Sequence, residues 1–452
     1  MRRAVYLLML AMIFTLPWEN VLSLPGLGRV SKLIGLLAAA TWVASVVLSG
    51  RFREPRLTHF LALLFVVWNG LSMLWTVDGS ATQGRVVTYA QLLALMFIIW
   101  DTVDTMPRVH ATLVTYLAGS YVTVSALLVG YVVRGAASER YGRVTLGSFH
   151  PNDVGMILAV SVPVAAYLMW VPPARLHEWR RLWAAGCLVY VPLAAFAVLV
   201  TGSRAALVSM IPGLAYLFYL LTRRHKGVGI GTLVGLVVVG VLTIPFVPAR
   251  VLLRLEGTDA ALRAGNLNER ETIWSEAIRL IRDNPILGSG GGAFRAAAVG
   301  ANKAPHDLAL GLLAEVGVIG FGLFAAMLVT ALLSLRRVEP LLRGMWIAVF
   351  TAWLGAALLH NWEARKQTWM LIALVVACGA LETARGRPPA PSGAEPSGFE
   401  PDDSESDAVE TGDFAPPVAE ETEERYRGEH VAGEHAAGDR DVAVVPSLPG
   451  YS

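Results

Sequence analysis

The chain has 452 residues, of which 55% are hydrophobic and only 16% are charged. An ordinary soluble domain has roughly 25% charged residues, so this composition excludes a soluble globular enzyme and predicts a protein whose main solvent is lipid. The formal net charge of +2 conceals an asymmetry, because residues 388–452 carry 16 acidic and 3 basic residues.

The first residues have the pattern of a signal peptide. Arg2 and Arg3 precede a short apolar stretch that ends at Leu16. No cleavage site of small residues follows, and further apolar stretches do. We therefore interpret this segment as an uncleaved first span, with its removal as the alternative.

Twelve apolar stretches, the first of them short, approach the roughly 20 residues that a helix needs to cross a bilayer. They lie near residues 4–17, 30–48, 57–76, 86–103, 110–133, 152–170, 182–200, 205–221, 228–247, 307–335, 344–361 and 367–383. The predicted fold class is an all-α polytopic membrane protein with about 12 transmembrane helices. Cys187 and Cys378 lie inside these stretches, so they predict neither a disulfide nor a zinc site.

Basic residues in the short connections predict the orientation, because cytoplasmic loops collect Lys and Arg. With the N-terminus inside, the inner connections hold basic groups within 51–56, 175–181, 223–226 and 336–343. Only one inner connection, with Arg108 alone, is weakly basic. We predict that both termini are cytoplasmic.

This orientation divides the chain into four parts. Residues 1–247 form transmembrane helices 1–9, residues 248–305 form one long extracytoplasmic loop, and residues 306–386 form helices 10–12. Residues 387–452 form an acidic cytoplasmic tail, predicted to be disordered because few of its side chains are large and apolar.

The long loop 248–305 is predicted to contain an amphipathic helix. Asn268 and Glu271 have the spacing of an N-cap and its capping-box partner. Apolar residues then recur at helical spacing, at Ile273, Trp274, Ala277, Ile278 and Ile281. Arg270 falls on this apolar face, where it either snorkels along the face or points into a polar pocket beneath it.

Many arginines lie in the predicted outer connections, against the usual distribution of charge. They are either surface charges of a small folded loop or the binding groups for an anionic ligand such as phosphate, whose oxygens suit the guanidinium. As a group they favour the second reading. Arg204 follows Thr201-Gly202-Ser203 at the outer mouth of a span, where it serves as a ligand group or as an interfacial anchor.

His306 lies where the long loop enters a span, and Asp307 follows it. It is either an amphipathic residue at the membrane boundary or a general base, for which a near-neutral pKa is suitable. Glu315 lies nine residues deeper and, by helical rotation, points away from His306, which favours a structural role. The segment Gly288–Gly292 is predicted to be a flexible turn.

Some chemistries lack their usual signature in this sequence. There is no Gly-x-x-x-x-Gly-Lys-Ser/Thr phosphate loop, and no cluster of His, Cys and carboxylates has metal-ligand spacing. We predict no cofactor, no metal site and no nucleic-acid partner.

Several motifs in a fixed order resemble the O-antigen ligase and polymerase superfamily. They are Thr201-Gly202-Ser203-Arg204, then Arg270-x-x-x-Trp274 with Asn284-Pro285-Ile286-Leu287-Gly288, then His306-Asp307 leading into Glu315-Val316-Gly317. A further similar segment is Gly147-Ser148-Phe149-His150-Pro151-Asn152. The resemblance covers roughly residues 145–335, and the family often has His-Asn where this chain has His306-Asp307.

The resemblance implies a metal-independent, inverting glycosyltransferase of a bacterial inner membrane, with its active site facing the periplasm. Arg204 and Arg270 would hold the diphosphate of an undecaprenyl-diphosphate-linked glycan, with Asn152 and Arg365 as further binding residues. His306 would activate the acceptor hydroxyl, and Asp307 could orient it.

The acceptor implied for a ligase is lipid A-core, and for a polymerase it is a growing glycan. Membrane lipids and other polysaccharide-assembly proteins are the remaining expected partners. A membrane transporter is the alternative from another class.

Overall fold

The computed structural model describes residues 1–385 apart from 25–27, 135–138, 141–142, 174–175, 177, 225, 257–269 and 300–304. The described chain is almost entirely helical, which confirms the predicted all-α class. Its strands are two short antiparallel pairs, Ser23–Leu24 with Gly28–Arg29 and Glu139–Arg140 with Arg143–Val144. The predicted acidic tail and the predicted cap at Asn268 lie outside the described residues.

Nine α-helices precede the long loop in the part of the chain that the structure describes. They are α1 (Arg2–Thr15), α2 (Val30–Ser49), α3 (Leu57–Leu71), α4 (Gly79–Thr102), α5 (Met106–Arg134), α6 (Pro151–Trp170), α7 (Arg180–Thr201), α8 (Arg204–Arg224) and α9 (Lys226–Thr243). Six described helices follow, namely α10 (Ala249–Glu256), α11 (Arg270–Asp283), α12 (Phe294–Ala297), α13 (Leu308–Ser334), α14 (Pro340–Ala357) and α15 (Lys366–Arg385).

Eleven of the described helices, α2 to α9 and α13 to α15, are long and apolar enough to cross a membrane. The protein is therefore a multi-pass membrane protein. The first predicted span corresponds to α1, which has only 14 residues. Val5, Met9 and Ile13 of α1 are nevertheless buried, so this helix packs into the bundle as a short element.

Helix α6 forms the centre of the bundle. It contacts α5, α7, α8 and α14, and nearly all of its residues are buried. Its N-terminus is well specified by the sequence, because Pro151 suits the first helical position and the side chain of His150 accepts a hydrogen bond from the amide of Asn152. The first turn of this buried helix therefore carries polar side chains into the interior at one face of the bundle.

The amphipathic helix α11 packs its apolar side against the first part of α13. Ile273, Ala277 and Leu280 are buried there together with Phe294 and Ala314. Ile278, which the periodicity placed on the apolar face, is 42% exposed. At 100° per residue, the buried face is centred on Ile273 and Ala277, and Ile278 is rotated away from it.

Candidate active site

The glycine-rich segment 288–292 fills a break in α13. Gly317 interrupts this helix with φ 65° and ψ −172°, a conformation that is essentially reserved for glycine. The amide of Gly290 donates to the carbonyl oxygen of Glu315 at 2.8 Å, and the amide of Gly292 donates to the Glu315 carboxylate at 2.9 Å. The prediction of a flexible turn is wrong, because this segment satisfies the backbone groups that the break leaves open.

Arg85 lies between two buried carboxylates next to this break. Its guanidinium is 2.9 Å from the carboxylate of Glu363 and 3.8 Å from that of Glu315. Burial raises the pKa of Glu363, and the charge of Arg85 opposes that shift. The three side chains join α4, α13 and the connection before α15, so Glu315 has a structural position. Glu363 thus pairs with Arg85, which is distant in the sequence, rather than with the neighbouring Arg365 or Lys366.

The turn that carries His306 is held from both sides. The indole Nε1 of Trp274 on α11 donates to the carbonyl oxygen of Pro305 at 3.1 Å. Asp307 is the N-cap of α13, and its carboxylate accepts from the amide of Leu310 at 2.9 Å. His306 itself has φ 51°, a left-handed conformation that is uncommon outside glycine and that persists where the surroundings impose it.

Three histidines meet at this face of the bundle. The ring centroid of His360 lies 5.6 Å from that of His306 and 6.1 Å from that of His150. His360 is only 7% exposed, and burial lowers its pKa to about 4, against a smaller opposing effect of Asp153. The Nδ1 of His360 lies against the carbonyl oxygen of Leu359. This imidazole is therefore neutral at physiological pH.

The first turn of α6 connects these histidines to a group of arginines. Asp153, which is 6% exposed, accepts from the guanidinium of Arg365 at 2.7 Å. Its neighbour Asn152 accepts from Arg143 at 2.5 Å, and Arg143 also donates to the carbonyl oxygen of Thr201 at 2.7 Å. Both predicted binding residues, Asn152 and Arg365, thus have protein partners in this structure.

Arg204 begins α8 at a point of close approach to α6. Gly202 ends α7 with φ 59°, and the hydroxyl of Ser203 accepts from the amide of Ala206 at 3.3 Å. A Cβ added at Gly155 of α6 would lie 2.7 Å from the Cβ of Ala206, so a small residue is required there. The turn before Arg204 is therefore clamped by α6 and, through Thr201, by Arg143.

The predicted catalytic residues are described to different extents. Arg204 and His306 both lie at the face where α6, α8 and α13 begin. Arg270 begins α11, but its side chain lies outside the described part of the chain. Arg143 contacts both Asn152 and the turn before Arg204. The next residue, Asp153, lies close enough to His360 to affect its charge, so the Arg204 region and the histidines are neighbours.

Three important side chains at this face were not selected from the sequence. Asp153 directly follows the selected Asn152, and an acidic residue at the start of the predicted apolar span 152–170 could have been recognised as a signal. His360 ends a predicted apolar span and carried no motif. Arg143 was counted only as one of many outer arginines.

A groove of about 800 Å³ lies beside the histidine cluster, between α2, α4 and the start of α15. Its mouth is cationic, with Arg29, Lys32, Arg365 and Lys366, and the ammonium of Lys366 lies 2.5 Å from Glu19. Arg365 belongs both to this mouth and to the ion pair with Asp153. The groove and the histidine cluster are therefore adjacent.

Below its mouth the groove is mostly apolar, although Ser80, Gln83, Thr88 and Gln91 of α4 also line it. It follows α4 from Ser80 to Ile98, which corresponds to about 27 Å at the rise of an α-helix. Its lining there includes Gly35, Ala39, Gly84, Val87, Leu92 and Leu95. A cationic mouth above a long apolar floor suits an amphiphile with an anionic head and a hydrocarbon chain.

Residues 189–325 match a family model described as O-antigen ligase. The matched segment runs from α7 into α13, and it includes Arg204, the glycine segment, His306 and the break at Gly317. No curated protein matches the chain.

The match supports a glycosyl-transferring enzyme in general. The matched motifs lie on a bundle of membrane-spanning helices, in the chain order predicted for them. Residues 189–325 are therefore similar to an O-antigen ligase domain, and this match supports the resemblance of the chain to the O-antigen ligase and polymerase superfamily.

Proposed function

We propose that this chain is an O-antigen ligase, which transfers a glycan from undecaprenyl diphosphate to a hydroxyl group of lipid A-core. The observation that carries the proposal is that residues 189–325, which contain Arg204 and His306, match the family model, and that His306 contacts His360 at the face where Arg365 pairs with Asp153. A repeat-unit polymerase of the same superfamily uses the same donor, and the experiment below distinguishes the two.

The reaction breaks the bond between the anomeric carbon and the diphosphate oxygen, and the electron pair leaves with the diphosphate. Arg204 and Arg270 are proposed to hold that diphosphate, since fixed cations stabilise the developing negative charge. The acceptor oxygen attacks the anomeric carbon from the opposite side, which inverts its configuration. His306 takes the proton of the attacking hydroxyl as general base.

Asn152 and Arg365 support this site in two different ways. Asn152 accepts from Arg143, which holds the turn before Arg204, so we propose that it acts by positioning. Arg365 is partly exposed at the mouth of the groove while it pairs with Asp153. We propose that Arg365 contacts the anionic head of the donor directly.

The groove supports a lipid-linked donor. Arg365 at its mouth would contact the diphosphate together with Arg204 and Arg270, and its floor along α4 would take the first isoprene units of the lipid. A floor of about 27 Å is long enough for several such units. The small side chains Gly35, Ala39 and Gly84 leave room for a branched chain.

We propose that the site faces the periplasm and that both termini are cytoplasmic. At the other ends of the helices, Arg180 begins α7, Arg223 lies in the last turn of α8 and Arg343 lies in the first turn of α14. Arg53 lies in the connection between α2 and α3, and basic residues at these positions are expected for cytoplasmic ends. The acidic residues 387–452 would then follow α15 on the cytoplasmic side.

The test is complementation of a strain that lacks the gene. His306→Ala should abolish the surface glycan, whereas His110→Ala should retain it. His110 is a suitable control because its Nε2 bonds the hydroxyl of Tyr167 near the other ends of these helices. Normal glycan with the His306 variant would contradict the proposed general base.

Gel electrophoresis of the lipopolysaccharide from these strains separates the candidate functions. Loss of a ligase leaves bare lipid A-core and glycan polymer on the carrier lipid, whereas loss of a polymerase leaves lipid A-core with a single repeat unit. Purified protein in liposomes that moves lipid across the membrane without forming a glycosidic bond would instead indicate a transporter.

A further inference from the structure

His360 is a buried imidazole at the candidate site, and one of its two ring nitrogens has no hydrogen-bond partner among the described residues. The residue is 7% exposed, in ring contact with His306 on one helix connection and His150 on another. Its Nε2 is fully buried and has no hydrogen-bond partner among the residues that the structure describes. A buried polar atom without a partner is costly, and a bound group that hydrogen-bonds it would remove that cost.

The contacts of the ring determine what kind of ligand Nε2 can bind. The Nδ1 of His360 bonds the carbonyl oxygen of Leu359, and a carbonyl can only accept. Nδ1 therefore carries the proton, which leaves Nε2 of the neutral ring as an acceptor. Its partner must donate a hydrogen, so an ionised phosphate oxygen does not fit this position and a hydroxyl group does.

The next residue presents a second acceptor of the same kind. The side-chain oxygen of Asn361 is buried and has no hydrogen-bond partner within the described residues. Its amide nitrogen faces Gly311 of α13, where an added Cβ would lie 2.7 Å from that nitrogen. Two adjacent acceptors near His306 are suited to a molecule that carries several hydroxyl groups, as a sugar does.

We propose that His360 and Asn361 accept hydrogen bonds from hydroxyl groups of the acceptor sugar and so orient it toward His306. This assignment rests on the proposed function, because it presupposes a sugar acceptor beside the general base. The two residues bind and orient the acceptor, whereas the arginines hold the donor. A loss of His360 should therefore weaken the use of the acceptor much more than the use of the donor.

The experiment measures initial transfer rates by purified protein in liposomes. Both probes come from the strain that lacks the gene: its lipopolysaccharide serves as acceptor and its carrier-lipid-linked glycan as donor. His360→Phe removes the acceptor nitrogen but keeps a planar ring, and His360→Gln restores an acceptor oxygen. His110→Phe is the matched control.

His360→Phe should raise the KM for lipopolysaccharide about tenfold, the effect of one lost hydrogen bond, and change the KM for the donor less than about twofold. His360→Gln should recover part of the loss, and Asn361→Ala should raise the same KM. Equal changes in both KM values, or no change with His360→Phe and Asn361→Ala, would overturn the inference.

Further outcomes separate folding and function from this inference. If His360→Phe does not fold, the comparison of His360→Gln with Asn361→Ala decides the question, since both must shift the acceptor KM alone. If the wild type forms no glycosidic bond and the His306 variant still complements, the proposed function fails. If the wild type forms the glycosidic bond but the variants change the KM for lipopolysaccharide and the KM for the donor equally, only the role of His360 and Asn361 fails.

Discussion

Replacing Gly317 with alanine should disrupt the break in α13 to which the long loop is attached. An alanine Cβ would lie 2.0 Å from the carbonyl oxygen of Ile286, and the backbone conformation at Gly317 is itself unfavourable for any other residue by about 1–3 kcal/mol. If residues 285–290 are displaced, three backbone hydrogen bonds between them and residues 314–318 are also lost, each worth about 1 kcal/mol. The combined cost is about 4 kcal/mol or more.

The effect should reach the candidate site, because this segment connects α11 to α12 and α11 holds the His306 turn through Trp274. We expect Gly317→Ala to lower the midpoint of thermal unfolding in detergent, to expose the segment to protease, and to abolish glycan transfer. Gly322→Ala in the same helix is the matched control, since its Cβ would meet nothing within 4 Å and alanine is the better helix former by about 1 kcal/mol. Equal unfolding midpoints for the two variants would refute this account of the break.

Three further changes test the contacts around the site. Asp307→Ala should cost about 1 kcal/mol of stability because the N-cap of α13 is lost, whereas Asp307→Asn should keep the cap and the stability. Equal destabilisation of the two variants in thermal unfolding would contradict the capping role. Glu315→Ala should cost about 3 kcal/mol of stability, because it leaves the amide of Gly292 unsatisfied and weakens the pairing of Arg85. Glu315→Gln should cost clearly less, and the same unfolding assay checks this order. The pKa of His360 is lowered from 6.5 to about 4 in the folded protein, so the unfolded chain binds this proton more tightly. The free energy of unfolding should therefore be at its full value above pH 6.5 and fall by on the order of 3 kcal/mol as the pH drops toward 4. His360→Gln should flatten this dependence, and parallel curves for wild type and variant would argue against it.

The membrane-spanning architecture could be predicted because lipid leaves the chain few options. An apolar run of about 20 residues must satisfy its own backbone, and a helix does so regardless of what surrounds it. The predicted spans accordingly agree with α2 to α9 and α13 to α15 to within a few residues at most ends. The largest discrepancy is α4, which begins at Gly79 rather than near 86, because Asp78 caps it and polar residues continue the helix beyond the apolar run.

The local features of the candidate site could also be predicted where neighbouring residues determine them. The periodicity of the amphipathic helix identified α11, since a helical face depends on residues three and four apart. The order of motifs around the long loop indicated the family that the comparison then matched at residues 189–325. Both signals are contained in short stretches of the chain.

The pairing of charges and the shape of the site were decided only by the tertiary structure. Arg365 pairs with Asp153 across 212 positions, and Lys366 pairs with Glu19 across 347. The break at Gly317 forms because a segment from the preceding loop fills it, and His360 meets His306 only when α13 and α14 are packed. Sequence patterns report which face of an element is apolar, whereas these contacts depend on how distant elements are oriented against one another. The sequence therefore determined the membrane helices and the resemblance to a family, and tertiary packing alone determined which polar groups share a site.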